Sequence, residues 1–305
     1  DFYPHMLRTR VVRMVRIVAP FVFATLFLTT LFNNTSSDIL PERNFYGAFQ
    51  IHFREAATVL MNGTTMHGMQ PTAREWSYMP SSYYTSGSGL GRAIRAARDS
   101  APNKKVNVGV IGLGTGSIAV YCEAHDIFTF YEIDPDIEHA ARSFFSYLAR
   151  CEGSHVKIGD GRLVLEAEKN TPPYDLFVVD AFTDDAIPAH LLTDEAVRLY
   201  MSRLTDDGIL AIHTSNRFLL LYPMILSIAR NQILTAMVVY DDGDAGHLGT
   251  PSQWVLLSKN PHVFDADAFI GVSPWSTSMP LPAPWTDNYT SLFSVLELPI
   301  PSLPF

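Results

Sequence analysis

From Val106 onward the chain alternates short apolar runs with helical stretches, and this rhythm constrains the fold more than any other feature of its 305 residues. The runs are VNVGVIG, IFTFYEID, HVKIGD, YDLFVVD and GILAIHT. Helices are expected between them, near Ser117–Glu123, Asp136–Arg150, Arg162–Lys169, Thr193–Leu204 and Phe218–Ala229. Strands this rich in Val, Ile and Phe, with little polar alternation, bury both faces and so belong to a mainly parallel sheet with helices on either side. Two later runs, Leu234–Tyr240 and Gln253–Ser258, add a final hairpin-like pair. The expectation is an α/β fold: a doubly wound sheet of seven strands whose last strand is antiparallel.

Upstream the pattern changes. From Asn44 to Gln70 short alternating or aromatic runs flank Asn62-Gly63, a strong two-residue hairpin signal, so a small N-terminal antiparallel β domain is expected over about residues 41–85. The segment SGSGLGRAI leads into a helix at Gly91–Arg98 and opens an α/β domain over residues 86–272. A Pro-rich tail, 273–305, reads as an extended segment or lid. Residues 1–40 read as a hydrophobic helix followed by a polar linker, Asn33 to Pro41. Val11 to Phe32 is almost wholly apolar apart from Arg13 and Arg16, and a helix of that length covers a hydrocarbon layer of about 30 Å. Arg8, Arg10, Arg13 and Arg16 flank its N-terminal side, which by the positive-inside rule would send the rest of the chain out of the cytosol. The chain begins at Asp1, and further sequence upstream is expected.

Composition narrows the partners. Lys and Arg number 22 against 31 Asp and Glu, a net charge of −9, which repels a phosphate backbone and argues against nucleic acid. The two cysteines, Cys122 and Cys151, supply neither a disulfide framework nor a multi-thiolate zinc site; buried, inert thiols in a reducing compartment are expected. No spacing of His, Cys or acids matches a metal site.

The strongest chemical signal is VGVIGLGTGSIAV, where a strand ends in Gly112-Leu113-Gly114-Thr115-Gly116 and a helix is expected to begin. Such a turn lets backbone approach a ligand and presents unpaired N–H groups. Glu132 ends the second strand, 18 residues after Gly114, where an acid accepts hydrogen bonds from ribose hydroxyls. Asp160, in Gly159-Asp160-Gly161, ends the third and could accept from an adenine amino group. Asp180 ends the fourth. Read singly, each acid is equally a helix cap; together, four successive strand ends face one crevice at the sheet's switch point. A dinucleotide loop would place glycine where Ser117 stands, and the G-x-G-x-G form favours an adenosyl-sulfonium ligand instead.

GLGTGS, YEID, GDGR and VVDAFTDDAIPAHLLT, with the preceding NGTTMHGMQ and SYYTSGSGLGRAI, resemble the spermidine synthase family of aminopropyltransferases, and most closely its membrane-fused bacterial branch. The resemblance covers about Asn44 to Leu296 and implies a Rossmann-like, methyltransferase-type fold. It places Gly112, Gly114, Thr115 and Gly116 against the nucleoside and its sulfonium tail, Glu132 on the ribose, and Asp160 with Gly161 at the adenine. Asp180 matches the first aspartate of the family's catalytic loop, which helps take the proton from the attacking amine; the second falls on Asp184 or Asp185. Tyr83, Tyr84, His67 and Asp287 become candidates for holding the acceptor. His190 and His213 read as ordinary loop or strand-end residues.

An alkylamine attacks only when neutral, so a carboxylate that binds the cation and takes its proton suits the chemistry, and no metal is required by a carbon already bonded to S⁺. The implied co-substrate is decarboxylated S-adenosylmethionine, or S-adenosylmethionine itself, because Thr115 stands where the family carries an acid that repels the intact donor's carboxylate. The expected activity is aminopropyl transfer to a small cationic amine; the alternatives are S-adenosylmethionine-dependent methyl transfer and a non-catalytic adenosyl-binding module on a membrane domain. Adenosyl donors are made in the cytosol, so the expected location is membrane-associated with the soluble domain cytoplasmic. A homodimer is a further expectation of the resemblance.

Overall fold

The computed structural model describes residues 16, 18–25, 39–63, 65–100, 105–169, 171–182, 187–243, 248–272 and 280–296. Four strands, β1 (Ile39–Arg43), β2 (Ala48–Phe53), β3 (Ala57–Asn62) and β4 (Thr65–Pro71), form one antiparallel sheet in chain order. Asn62-Gly63 turns β3 into β4, as the hairpin signal requires. The polar linker is shorter than expected, because Ile39–Pro41 already pair with β2.

The second sheet has seven strands. Its parallel part comprises β5 (Asn107–Ile111), β6 (Ile127–Glu132), β7 (Ser154–Ile158), β8 (Tyr174–Val179) and β9 (Leu204–His213), followed by β10 (Thr235–Asp241), which runs in the same direction, and the last strand β11 (Ser252–Ser258), which lies between β9 and β10 and is antiparallel to both. The order β10-β11-β9-β8-β5-β6-β7 puts the switch point between β5 and β8. From β5 the chain winds one way to β6 and β7, and from β8 the other way to β9, so the carboxyl ends of β5 and β8 open a crevice.

Side chains alternate between two cores, one on each face. Val108, Val110, Leu176, Val178 and Ala211 face one side, and Ile111, Phe177, Val179, Leu210 and Ile212 the other. The first core is covered by α1 (Gly89–Ser100), which lies across β9 and β11. The second is covered by α5 (Asp194–Ser202) and α6 (Tyr222–Asn231). Between them in sequence lie α2 (Pro135–Phe144), a single turn α3 (Tyr147–Arg150) and α4 (Gly161–Ala167).

Several expectations are corrected. The helix expected over Asp136–Arg150 breaks at Phe145-Ser146, where Gln70 of β4 accepts from the Ser146 N–H at 3.0 Å and donates to its hydroxyl at 2.7 Å. A side-chain amide from the small sheet thus replaces one turn of helix. The helix after the glycine loop is only a 3₁₀ turn, Ser117–Tyr121. Cys122 and Cys151, at the ends of that turn and of α3, are joined in a disulfide; packing of the two turns brings their Cα atoms to 5.6 Å, inside the span of such a bond. They are therefore not free thiols. The Pro-rich segment is packed rather than loose where described: Trp285 and Val295 are buried in the second core.

The membrane expectation is overturned. Among the described residues no helix is long and apolar enough to cross a membrane. The helix within Val11–Phe32 is described only at residues 16 and 18–25, and the remainder lies outside the described residues.

Candidate functional site

The crevice at the switch point holds a cavity of about 140 Å³. Its wall is made by Gly112, Leu113 and Gly114 after β5, Glu132 and Asp134 after β6, Asp160 and Gly161 after β7, and Asp180 after β8. His67, Tyr83 and Tyr84 line the same space, and it is closed by Gly47 and by Ala48 and Phe49 at the start of β2. Thr115 and Gly116 lie outside this wall. Thr115 is fully buried, donates to Ser117 Oγ at 3.1 Å, and packs so tightly under Gly68 of β4 that a Cβ there would collide with it. The side chain of Thr115 thus docks the small sheet onto the loop. Asp184 and Asp185 lie outside the described residues.

Each acid has a distinct environment. Glu132 accepts from the N–H of Leu113 at 2.9 Å and of Asp134 at 3.0 Å, tying the glycine loop to the end of β6. Burial pushes its carboxyl up to about 7, against the opposing pull of those backbone donors. Asp134 caps α2 and accepts from Asn44 Nδ2 at 2.6 Å, a second tie between the two sheets. Asp160 does act as a helix cap: Oδ1 accepts from the Leu163 N–H at 3.0 Å, while Oδ2 meets His190 Nε2 at 2.9 Å. His190 also lines the cavity.

The Asp180 side chain is enclosed, only 3% exposed. Oδ2 accepts from the Tyr84 hydroxyl at 2.5 Å and Oδ1 lies 2.8 Å from His213 Nδ1. His213 Nε2 lies 2.8 Å from Ser215 Oγ, which accepts from the Gln253 N–H at 2.8 Å. One set of proton positions satisfies every partner: Nδ1–H donates to Asp180, Ser215 O–H donates to Nε2, and Ser215 accepts from Gln253. The imidazole is stacked between Tyr83, at 4.7 Å, and Trp254, at 4.6 Å, with Phe182 edge-on at 5.1 Å. Burial, reinforced by the charge of Asp180, pushes the Tyr83 and Tyr84 phenols far up, so both stay protonated.

His213 was missed in the sequence because a histidine at a strand end has no local mark. Its signal is positional: β9 neighbours β8, so the carboxyl end of β9 adjoins Asp180. Asp287, by contrast, lines neither this cavity nor its neighbour. It takes a two-pronged ion pair from Arg162, at 2.7 and 2.6 Å, and a hydrogen bond from Thr193 at 2.8 Å. Those donors hold its carboxyl down to about 2, and its place is that of a clamp fastening the C-terminal segment to α4 and α5. Among the described residues no group of three or more His, Cys, Asp or Glu could hold a metal ion.

No protein-family model matches the chain. A polyamine aminopropyltransferase of Vibrio vulnificus is 32% identical over 111 residues, which is 34% of this chain and 36% of that protein. The crystal structure of a probable spermidine synthase from Corynebacterium glutamicum superimposes with a TM-score of 0.59 at 13% identity, covering 74% of this chain and 81% of that one. The fold is spermidine synthase-like. None of these matches bears on the membrane-fused branch. A second relative, an N-terminal histidine N-methyltransferase of Emericella nidulans, is 35% identical over 126 residues, or 40% of this chain and 22% of that protein. The chain thus spans about a third or less of the length of the curated relatives it matches.

Proposed function

We propose that the chain is an aminopropyltransferase that binds an adenosyl-sulfonium donor in the switch-point cavity and passes its aminopropyl group to an amine. The observation that carries this reading is the convergence of Gly112, Gly114, Glu132, Asp160 and Asp180 on one space. Glu132 would accept from the ribose hydroxyls and Asp160 from the adenine amino group, each with lone pairs left over from its structural bonds. The relative in Vibrio vulnificus supports the aminopropyl form of the reaction.

In this mechanism the base facing the acceptor is His213. Asp180 accepts from Tyr84 and from His213 Nδ1, and through the second of these bonds it orients the imidazole and stabilises its charged form. The acceptor ammonium gives one proton through Ser215 to His213 Nε2. Its freed lone pair forms the N–C bond as the C–S bond breaks; the C–S bonding pair goes to sulfur, leaving a neutral thioether and an alkylated ammonium. His213 then releases its proton to water. Alignment of the two substrates supplies much of the acceleration.

Methyl transfer is the second reading, favoured by Thr115. Its buried side chain offers no carboxylate to an aminopropyl ammonium and none to repel the carboxylate of S-adenosylmethionine. Calorimetric titration with each nucleoside, followed by mass analysis of products, decides between them. Tighter binding of the decarboxylated donor with an aminopropyl mass gain is the expected result; tighter binding of S-adenosylmethionine with a methyl gain turns the assignment to methyl transfer.

The raised Glu132 carboxyl makes a separate prediction. Only its ionised form accepts from both ribose hydroxyls, so nucleoside affinity should weaken as pH falls below about 7, by up to about tenfold per pH unit. Binding near that pH should release a proton, and Glu132→Gln should flatten the profile. A profile that is flat in the parent protein excludes this role.

A further inference from the structure

The turn between β1 and β2, residues 44–47, forms part of the wall of the first cavity through Tyr46 and Gly47. Its tip packs little: Phe45 is 94% exposed, and the chain rejoins the first core at Phe49. The side-chain amide of Asn44 holds the turn in place. Oδ1 accepts from the N–H groups of Tyr46 at 2.8 Å and Gly47 at 3.2 Å, which shapes the turn itself. Nδ2 donates outward, to Asp134 Oδ1 at 2.6 Å and Asp136 Oδ2 at 2.7 Å, at the N-terminus of α2. Both donors and both acceptor positions of the amide are therefore filled, and a reversed amide would set its oxygen against two carboxylates. The outward bonds, running to charged acceptors, are the stronger kind. They also end beside the ribose acid, because the Asp134 N–H donates to Glu132 at 3.0 Å.

A second cavity, of about 280 Å³, shares His67, Tyr83 and Phe182 with the first and is lined by His213 and Ser215, the side on which the proposed base meets an acceptor. The turn lines the first cavity and not the second. We propose that Asn44 is a positioning residue that latches the turn over the bound nucleoside and sets how long the donor stays. The inference rests on the reading of the first cavity as the adenosyl site. A nucleoside held between Glu132 and the glycine loop leaves past Tyr46 and Gly47 when the turn swings out. That swing breaks both bonds from Nδ2 and spares those inside the turn, so the release rate carries the strength of the outward pair.

The test follows release of 5′-methylthioadenosine, the thioether that aminopropyl transfer leaves behind, by stopped-flow displacement. Asn44→Asp keeps the oxygen that shapes the turn but sets a third carboxylate against Asp134 and Asp136. It should speed release about tenfold or more, the scale of charge-assisted bonds exchanged for repulsion, with the thermal unfolding midpoint close to the parent's. Adding Asp136→Asn returns an N–H donor to the contact and should recover part of the slow release; Asp136 does not line the cavity. Asp136→Asn alone should speed release by a smaller factor. Release from Asn44→Asp at the parent's rate, or a double variant no slower than the single one, overturns the proposal. A merely structural role for Asn44 would lower the unfolding midpoint and leave the release rate where it was. Hydrogen exchange without nucleoside reads the latch independently: the Tyr46 and Gly47 amides should exchange about tenfold faster in Asn44→Asp. If the parent binds no 5′-methylthioadenosine, the adenosyl reading fails; if the two proteins exchange alike, the latch does.

Discussion

Asp180→Asn should lower turnover by about 10² to 10⁴-fold while leaving nucleoside affinity within about threefold of the parent's, an isosteric change being cheap to accommodate. The side chain is enclosed between Tyr84 and His213, so the amide fits where the carboxylate was. Its oxygen can still accept from Tyr84. The NH₂ group, however, must then face His213 Nδ1 and donate to it, which moves the ring proton to Nε2. That nitrogen ceases to accept, and the path through Ser215 closes. The comparison variant is Ser215→Ala, which removes the relay but not the imidazole and should cost less. Steady-state rates beside a nucleoside titration check both. A variant at Asp180 that turns over as fast as the parent removes His213 from the role of base.

The second large effect belongs to stability. Gly112 has φ of +99°, a conformation that side chains rarely adopt, and an added Cβ would strike the carbonyl oxygen of Asp180. Its N–H donates to the Tyr131 carbonyl at 2.9 Å, and the Asp180 N–H donates to the Ile111 carbonyl at 2.9 Å. The ends of β5, β6 and β8 therefore close on one another at this residue. Gly112→Ala should cost about 3 kcal/mol, from backbone strain and the shift needed to relieve the collision. Gly271→Ala is the matched control: φ is +82° but no described residue lies within 4 Å of the added atom, so strain acts alone. Urea unfolding should show a loss of about 1 kcal/mol for it. If both variants unfold at the same urea concentration, the collision has no energetic weight.

Most of the large sheet was legible because strands buried on two faces have no polar alternation to confuse them, and β5 to β9 fall within a few residues of their apolar runs. The acids were legible for a topological reason: parallel strands deliver their carboxyl ends to one edge. The unread parts depend on contacts distant in sequence. Gln70 breaks a helix 76 residues away, and no local pattern announces it. The disulfide joins cysteines 29 residues apart that only the packing of a 3₁₀ turn on a short helix brings together. The resemblance places Thr115 against the donor, and no local pattern announces that its side chain turns under β4. His213 and Ser215 escaped because the strand-end rule was applied to four strands and not to the fifth.

Two adjoining chambers that share His67, Tyr83 and Phe182 have a kinetic and stereochemical meaning. Donor and acceptor need not take turns in one space, so both can be resident when bonds change, and initial-rate plots should intersect rather than run parallel. The nitrogen then reaches the carbon from the side remote from sulfur, and a donor made chiral at that carbon would emerge with inverted configuration.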